Sequence, residues 1–273
     1  MELEHEKEKF ARRGLHVCSI SYDSVAVLEH FADRAGIHYP MLSDADSKII
    51  RAFGILNESV PKDNFVYGVP HPGTYILDEN GAVRAKYFED DYRDRYTAAN
   101  VLWRQFGPEA GPLRSAAETP HLKLSLSASD SEARPGTRLT LALEIELKPK
   151  MHVYAPGVEG GYIPIAWNMA DSKGWRAGQV AWPASKKLHL PVIHETVPVY
   201  EGKLRLTRDI TIGQNRDLAP LLGADRKLAV EGTFRYQACD DRECYPPQNV
   251  PLRWTFHVNA LDSQRVPAEL QRK

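Results

Sequence analysis

Cys239 and Cys244 stand in the run Tyr236-Gln237-Ala238-Cys239-Asp240-Asp241-Arg242-Glu243-Cys244-Tyr245-Pro246-Pro247, with four residues between them. That spacing lets the chain fold back until the two Cα atoms reach the separation of a disulfide, roughly 4.4–6.8 Å. The double proline that follows can neither continue a helix nor donate to a central ladder, so the segment reads as a rigid turn beside an edge strand. Cysteines on a stiff surface turn are placed for exchange, in which a thiolate attacks an accessible disulfide sulfur in line through a mixed disulfide. Arg242 favours a thiolate, while Asp240, Asp241 and Glu243 oppose it. The local balance is negative, so the thiols are not expected to be strongly acidic, which suits a relay carrier better than a strong oxidant. Tyr236, Tyr245 and Tyr200 are expected to shield the sulfurs from small thiols, favouring protein partners.

Other chemistries compete for the same pair. A structural disulfide stapling a hairpin contributes about 2–3 kcal/mol for a short loop and is common in exported domains. Zinc accepts cysteines at this spacing, but a second ligand pair is missing, and His152, His189, His194 and His257 are scattered. Hydrolase signatures such as G-x-S-x-G and H-E-x-x-H do not occur. Neither metal nor cofactor is therefore expected. The third cysteine, Cys18, lies beside Val17 and Ile20 and is expected to be a buried strand residue. Most of the tryptophans are expected in the core.

The elements that must position these residues fall into two groups within 273 residues, enough for two domains of ordinary size. A net charge of −1, from 35 basic and 36 acidic residues, argues against a nucleic-acid-binding surface. No apolar stretch reaches the roughly 18–20 residues that span a bilayer. Residues 1–13 are charged and helical, unlike a signal peptide.

Helix and strand alternate first. The pattern predicts helices over 2–13, from Val25, over 45–53 and over 92–106, with Asp23 and Ser24 as candidate N-caps. Strands are expected at 15–20, 73–78 and 82–88, the last two joined by a Glu79-Asn80-Gly81 turn. Residues 107–120 interleave Gly, Pro, Ala and Ser and read as a linker. Beyond it, short alternating runs at 122–128, 139–147, 151–154, 163–168, 180–182, 200–212, 227–237 and 250–258, without a convincing helix, predict an antiparallel sandwich.

In the front domain, Ile20-Ser21-Tyr22-Asp23-Ser24, Tyr39-Pro40-Met41-Leu42-Ser43-Asp44 and Gly68-Val69-Pro70-His71-Pro72-Gly73-Thr74-Tyr75-Ile76-Leu77-Asp78 resemble the AhpC/TSA redoxins of the thioredoxin superfamily. The resemblance covers about residues 1–106. It implies a cis-proline ahead of the Thr-aromatic strand that accepts substrate backbone, and by motif match that position is Pro72. Family members begin with a strand and a cysteine-bearing helix, whereas here no cysteine precedes Cys18 and no C-x-x-C occurs. The expectation is an incomplete thioredoxin-like domain without its own peroxidatic or dithiol chemistry, and a missing N-terminal portion.

The rear domain, residues 121–259, is similar to the N-terminal domain of the disulfide interchange protein DsbD. The likeness rests on Met151-His152-Val153-Tyr154-Ala155, on Val199-Tyr200-Glu201-Gly202, and on the Tyr-Gln-x-Cys…Cys-Tyr-Pro-Pro run. It implies an immunoglobulin-like β-sandwich, a redox pair at Cys239 and Cys244, and a capping loop near 199–202. It also implies thioredoxin-like redox proteins as partners and a periplasmic or exported setting. The cysteine spacing is one residue shorter than the family's. The expected fold class is therefore α/β plus all-β, with domains at 1–106 and 121–259, a linker at 107–120 and a C-terminal tail at 260–273. The expected function is thiol–disulfide exchange. The alternatives are an interaction module with a structural disulfide, or a fragment of a longer peroxiredoxin-like antioxidant protein.

Overall fold

The computed structural model describes residues 2–89, 91–107, 113–190 and 194–271. The chain divides into two compact units: residues up to Gly107 together with those from Leu261 onward, and residues 108–260.

The first unit opens with helix α1 (Glu2–Ala11), after which Gly14 takes the left-handed conformation (φ 76°) that glycine adopts at least cost. Strand β1 (Ser19–Ser21) leads to α2 (Val25–Ala35), capped by the Ser24 side chain, which accepts from Val27 N. Strand β2 (Met41–Ser43) runs parallel to β1, and the short helix α3 (Lys48–Ala52) follows. The hairpin of β3 (Gly73–Leu77) and β4 (Val83–Phe88) forms a separate two-stranded sheet. A two-residue strand, β5 (Arg95–Tyr96), precedes α4 (Ala98–Phe106), whose N-cap Thr97 accepts from Asn100 N. Phe10, Ile76 and Val101 are the buried centre of this unit. The C-terminal tail belongs here too: Asp262 pairs with Arg34 at 2.6 Å, and Gln264 accepts from the same guanidinium.

Cys18 is exposed, contrary to the burial its apolar neighbours suggested. The strand, expected over 15–20, begins only at Ser19, so Cys18 precedes the ladder instead of sitting inside it. The peptide bond before Pro72 is trans, as are all the described bonds, where the family resemblance implied cis.

The second unit is built from strands. In chain order these are β6 (Leu113–Glu118), β7 (Leu122–Ala128), β8 (Glu132–Ala133), β9 (Thr137–Leu147), β10 (His152–Tyr154) and β11 (Ala166–Met169). After them come β12 (Trp175–Ala181), β13 (Lys186–Leu190), β14 (Glu195–Glu201) and β15 (Lys203–Ile212). A single-turn helix, α5 (Asn215–Leu218), precedes β16 (Lys227–Tyr236), β17 (Ala238–Cys239) and β18 (Gln248–Val258).

Strands β12, β15, β9, β7 and β6 lie side by side, antiparallel, in one sheet; β11, β16, β18 and β8 make a second; β13, β14, β10 and β17 make a third. Period-2 alternation does the sorting. Leu122, Leu124 and Leu126 of β7 and Leu139, Leu141, Leu143 and Ile145 of β9 bury against the same core as Leu228, Val230 and Phe234 of β16 and Leu252, Trp254 and Phe256 of β18.

Part of the stretch read as linker is a strand. β6 pairs with β7 from Leu113↔Ala128 to Glu118↔Lys123, and Ala117 packs against the core, so pairing overrides the weak strand propensity of this small-residue run. Residues 108–112 of that stretch lie outside the described residues. The run 200–212 is likewise two strands, because Gly202 turns the chain at φ 66°.

Candidate functional site

Cys239 and Cys244 are joined by a disulfide, with Cα atoms 4.0 Å apart. The turn between them is tied by hydrogen bonds of its own. Asp240 N donates to Glu243 O at 3.0 Å, and Tyr245 N donates to Ala238 O at 2.8 Å. The Asp240 side chain organises the rest: Oδ1 accepts from Arg242 N at 2.8 Å and Glu243 N at 2.9 Å, and Oδ2 accepts from the Tyr245 hydroxyl at 2.8 Å. Donation from Glu243 N, then Arg242 N, then Tyr245 holds this carboxyl below the usual carboxylate range. The acidic residue that charge counting set against the thiolate therefore spends its lone pairs on shaping the turn.

The two sulfurs differ in access. Cys239 is 1% exposed, whereas Cys244 is exposed. Strand pairing explains the asymmetry. β17 pairs with β10 in the register His152↔Cys239 and Val153↔Ala238, and β10 pairs on its other side with β14 as His152↔Glu201, Val153↔Tyr200 and Tyr154↔Val199. Directly opposed residues share a face. One face of this sheet thus presents Val153, Tyr200 and Ala238 to the main core, and the other gathers Tyr154, Val197, Val199 and Cys239 into a smaller apolar cluster. Leu188 and Leu190 of β13 and Val158 and Tyr162 of the loop after β10 close over that cluster.

Tyr154 is the aromatic residue at the sulfurs. Its hydroxyl lies 3.7 Å from Sγ of both Cys239 and Cys244. In the disulfide state only the phenol has a proton to donate, so it points at the pair as a weak donor. Burial pushes its pKa up, with a further push from Glu195. Tyr162 packs on Tyr154 with ring centroids 4.5 Å apart and donates to Glu195 Oε2 at 2.6 Å, a bond that pushes the Tyr162 phenol up to about 12.

The expected shield residues fall differently. Tyr245 flanks the turn, its hydroxyl on Asp240 and its ring 4.6 Å from the His121 ring. Tyr236 is fully buried in the main core, donating to Thr119 Oγ1 at 2.8 Å. Tyr200 lies on the core side of its sheet and donates to the Pro183 carbonyl at 2.8 Å. Tyr200 and Tyr236 are corrected as sulfur shields, because alternation along their strands sends them into the core. Within the expected capping stretch it is Val199, one residue from Tyr200, that shares the cluster with Cys239, and it does so from a strand. Pro72 belongs to the first unit, where it lines a cavity of about 180 Å³ with Gly73, Thr74, Phe88 and Asp94.

His152 is one of the histidines scattered along the sequence. It is 6% exposed, stands opposite Cys239, and meets the edge of Tyr154 at 5.6 Å between ring centroids. The spacing His152-x-Tyr154 was the signal that could have placed both on one strand face, but only the register shows which face holds the cysteine. Among the described residues, no group of three or more His, Cys, Asp or Glu is arranged to hold a metal ion.

The family model described as "AhpC/TSA family" matches residues 1–86, and the one described as "Thiol:disulfide interchange protein DsbD, N-terminal" matches residues 124–252. The chain thus carries a region similar to the AhpC/TSA family followed by one similar to the DsbD N-terminal domain. Among curated relatives, a putative peroxiredoxin of Mycobacterium tuberculosis is 35% identical over 74 residues, which is 27% of this chain and 46% of that protein. The chloroplastic peroxiredoxin Q of Arabidopsis thaliana is 38% identical over 80 residues, covering 29% of this chain and 34% of the relative. The chain therefore spans less than half the length of these relatives. Among solved structures, the N-terminal periplasmic domain of ScsB from Proteus mirabilis aligns at TM-score 0.36 and 13% identity, covering 52% of this chain and 50% of that one. The yeast GGA1 GAE domain aligns at 0.30 and 9%, covering 52% and 97%. Likenesses at these scores carry no weight for the fold.

Proposed function

We propose that residues 121–259 are an immunoglobulin-like thiol–disulfide exchange domain, and that residues 1–106 are a thioredoxin-like redoxin region fused to it. The observation that carries this reading is the asymmetric disulfide: an exposed Cys244 bonded to a buried Cys239 on a surface turn. Two β-sheets that bury against one core support the sandwich, and the match to the DsbD N-terminal model supports the chemistry.

In the proposed cycle a donor thiolate attacks Cys244 Sγ. The donor–Cys244 bond forms, the Cys239–Cys244 bond breaks, and Cys239 leaves with the electron pair and takes up a proton. The donor's second thiolate then attacks the donor sulfur of the mixed disulfide and releases Cys244. Two electrons and two protons have passed from the donor to the pair, and the reverse sequence delivers them to an oxidised acceptor protein. Tyr245 flanks the entry to Cys244, while Tyr154 and the apolar cluster cover Cys239. Partners are thioredoxin-like proteins, whose thiols reach an exposed sulfur. The setting is periplasmic or otherwise exported, where such a disulfide persists. Pro72 is a backbone-contact position of the redoxin region.

Equilibrating the full chain with glutathione or thioredoxin buffers tests the reading. A relay pair titrates well above about −300 mV, and a purely structural bond lies below it. The second value would leave an interaction module with a stapled turn, the reading that the enclosure of Cys239 in an apolar cluster favours.

A further inference from the structure

One step of the exchange cycle must remove a proton from a buried thiol. When the reduced pair hands its electrons on, Cys244 becomes bonded to the acceptor and Cys239 must attack to release it. Cys239 is then a thiol at 1% exposure, and a buried apolar setting raises a thiol's pKa. Water and buffer have little access to its proton, so a base must come from the protein.

We infer that His152 is the general base that takes the Cys239 thiol proton when the mixed disulfide at Cys244 is resolved. This deepens the exchange reading and rests on it. Three observations place the residue. The register makes His152 the direct cross-strand neighbour of Cys239, on the same face of the sheet. His152 is 6% exposed, and its Nε2 has no hydrogen-bond partner among the described residues, a costly arrangement of the kind found at catalytic groups. Acidic side chains surround it: Glu201 opposite on β14, which pairs with Lys186 of β13 at 3.3 Å, and Asp240 and Asp241 in the cysteine turn. Tyr154, from its own strand, closes the remaining side. Burial lowers the imidazole pKa and keeps it neutral and able to accept, while the three carboxylates favour the imidazolium once it forms.

The step balances. The proton passes from Cys239 Sγ to His152 Nε2, and the Cys239 thiolate attacks Cys244 Sγ. The Cys239–Cys244 bond forms, the Cys244–acceptor bond breaks, and the acceptor sulfur leaves with the electron pair. The cysteine pair is oxidised, the acceptor disulfide is reduced, and the imidazolium later returns its proton to solvent.

The test uses the full chain carrying Cys18→Ser, reduced and mixed with dithiobis(nitrobenzoate). The first equivalent of thionitrobenzoate reports the mixed disulfide at Cys244, and the second reports its resolution by Cys239. With a histidine base, the resolution rate levels off above an imidazole pKa that lies below its ordinary value. Without one, it keeps climbing tenfold per pH unit past the ordinary thiol value of about 8.5. His152→Gln is expected to slow resolution at pH 7 by roughly tenfold or more and to abolish the plateau. The equilibrium between the pair and glutathione should stay put. A plateau-free profile in the His152 protein overturns the inference even if the Gln variant does not fold, and so does a Gln variant that melts normally and resolves at the same rate. Failure to form any mixed disulfide would instead sink the exchange reading, and this inference with it.

Discussion

The two units put the same kinds of residues to different use. In the second, ladders run long: β9 and β15 pair from Lys203↔Glu146 to Thr211↔Arg138, and β16 and β18 from Lys227↔His257 to Tyr236↔Gln248. Their inward side chains fill one core. In the first unit β1 and β2 pair over three positions, β3 and β4 form a separate hairpin, and large apolar residues stay exposed, with Val25 at 70%, Phe65 at 68% and Leu42 at 48%. Two-stranded sheets are marginal by themselves. The contrast places the half-buried disulfide on a four-stranded sheet of the second unit, whereas the sheets within the first unit, among the described residues, are two-stranded.

The comparison can be broken or sharpened experimentally. The largest effect is expected from Cys244→Ser, which should abolish exchange with any thioredoxin-like donor. Cys239→Ser should instead trap a mixed disulfide visible by intact mass. If the pair of variants behaves identically, the asymmetry has no chemical meaning. Next comes a matched truncation. Phe256→Ala, at a fully buried position, should cost about 3–5 kcal/mol in urea unfolding of the second unit. Phe10→Ala, at 5% exposure in the small first core, should cost less and act on a separate, earlier transition. A single shared transition would contradict two independent units.

Smaller effects probe the turn. Tyr154→Phe removes the hydroxyl beside both sulfurs. It should withdraw about 1 kcal/mol of thiolate stabilisation, slowing alkylation of the reduced pair roughly fivefold at neutral pH. Asp240 titrates with the opposite sign from a buried acid. Its folded pKa is depressed, so its stabilisation is complete above the unfolded value near about 3.9 and fades as pH falls through the lowered folded value. Asp240→Asn should flatten acid unfolding of the second unit over that window. The smallest effect is expected at Cys18, where Cys18→Ser should leave exchange unchanged and the chain should consume no peroxide either way.

Much of the fold is legible in the sequence. Alternation in 122–128 and 250–258 is strong enough to mark strands, because one face of each is buried along its whole length. The cysteine turn was readable from its prolines and spacing. What escaped was set by pairing between distant segments. Tyr200 is the more conspicuous aromatic, but its register with Val153 turns it to the core, while Tyr154 faces the sulfurs. The strand in the presumed linker has small side chains and owes its form to β7. Cys18 carries apolar neighbours, yet the short ladder begins beyond it. β13 leaves little signal in the sequence because Lys186-Lys187-Leu188-His189-Leu190 has only two apolar positions, and both cover the cysteine cluster.

The hydrogen bonds that Asp240 and Tyr245 make across the turn do not involve sulfur. Cleaving the S–S bond therefore leaves the peptide scaffold in place, and the two thiols remain neighbours at a high effective concentration. In the proposed exchange, ring closure then competes well against any outside thiol, so a mixed disulfide at Cys244 would be short-lived.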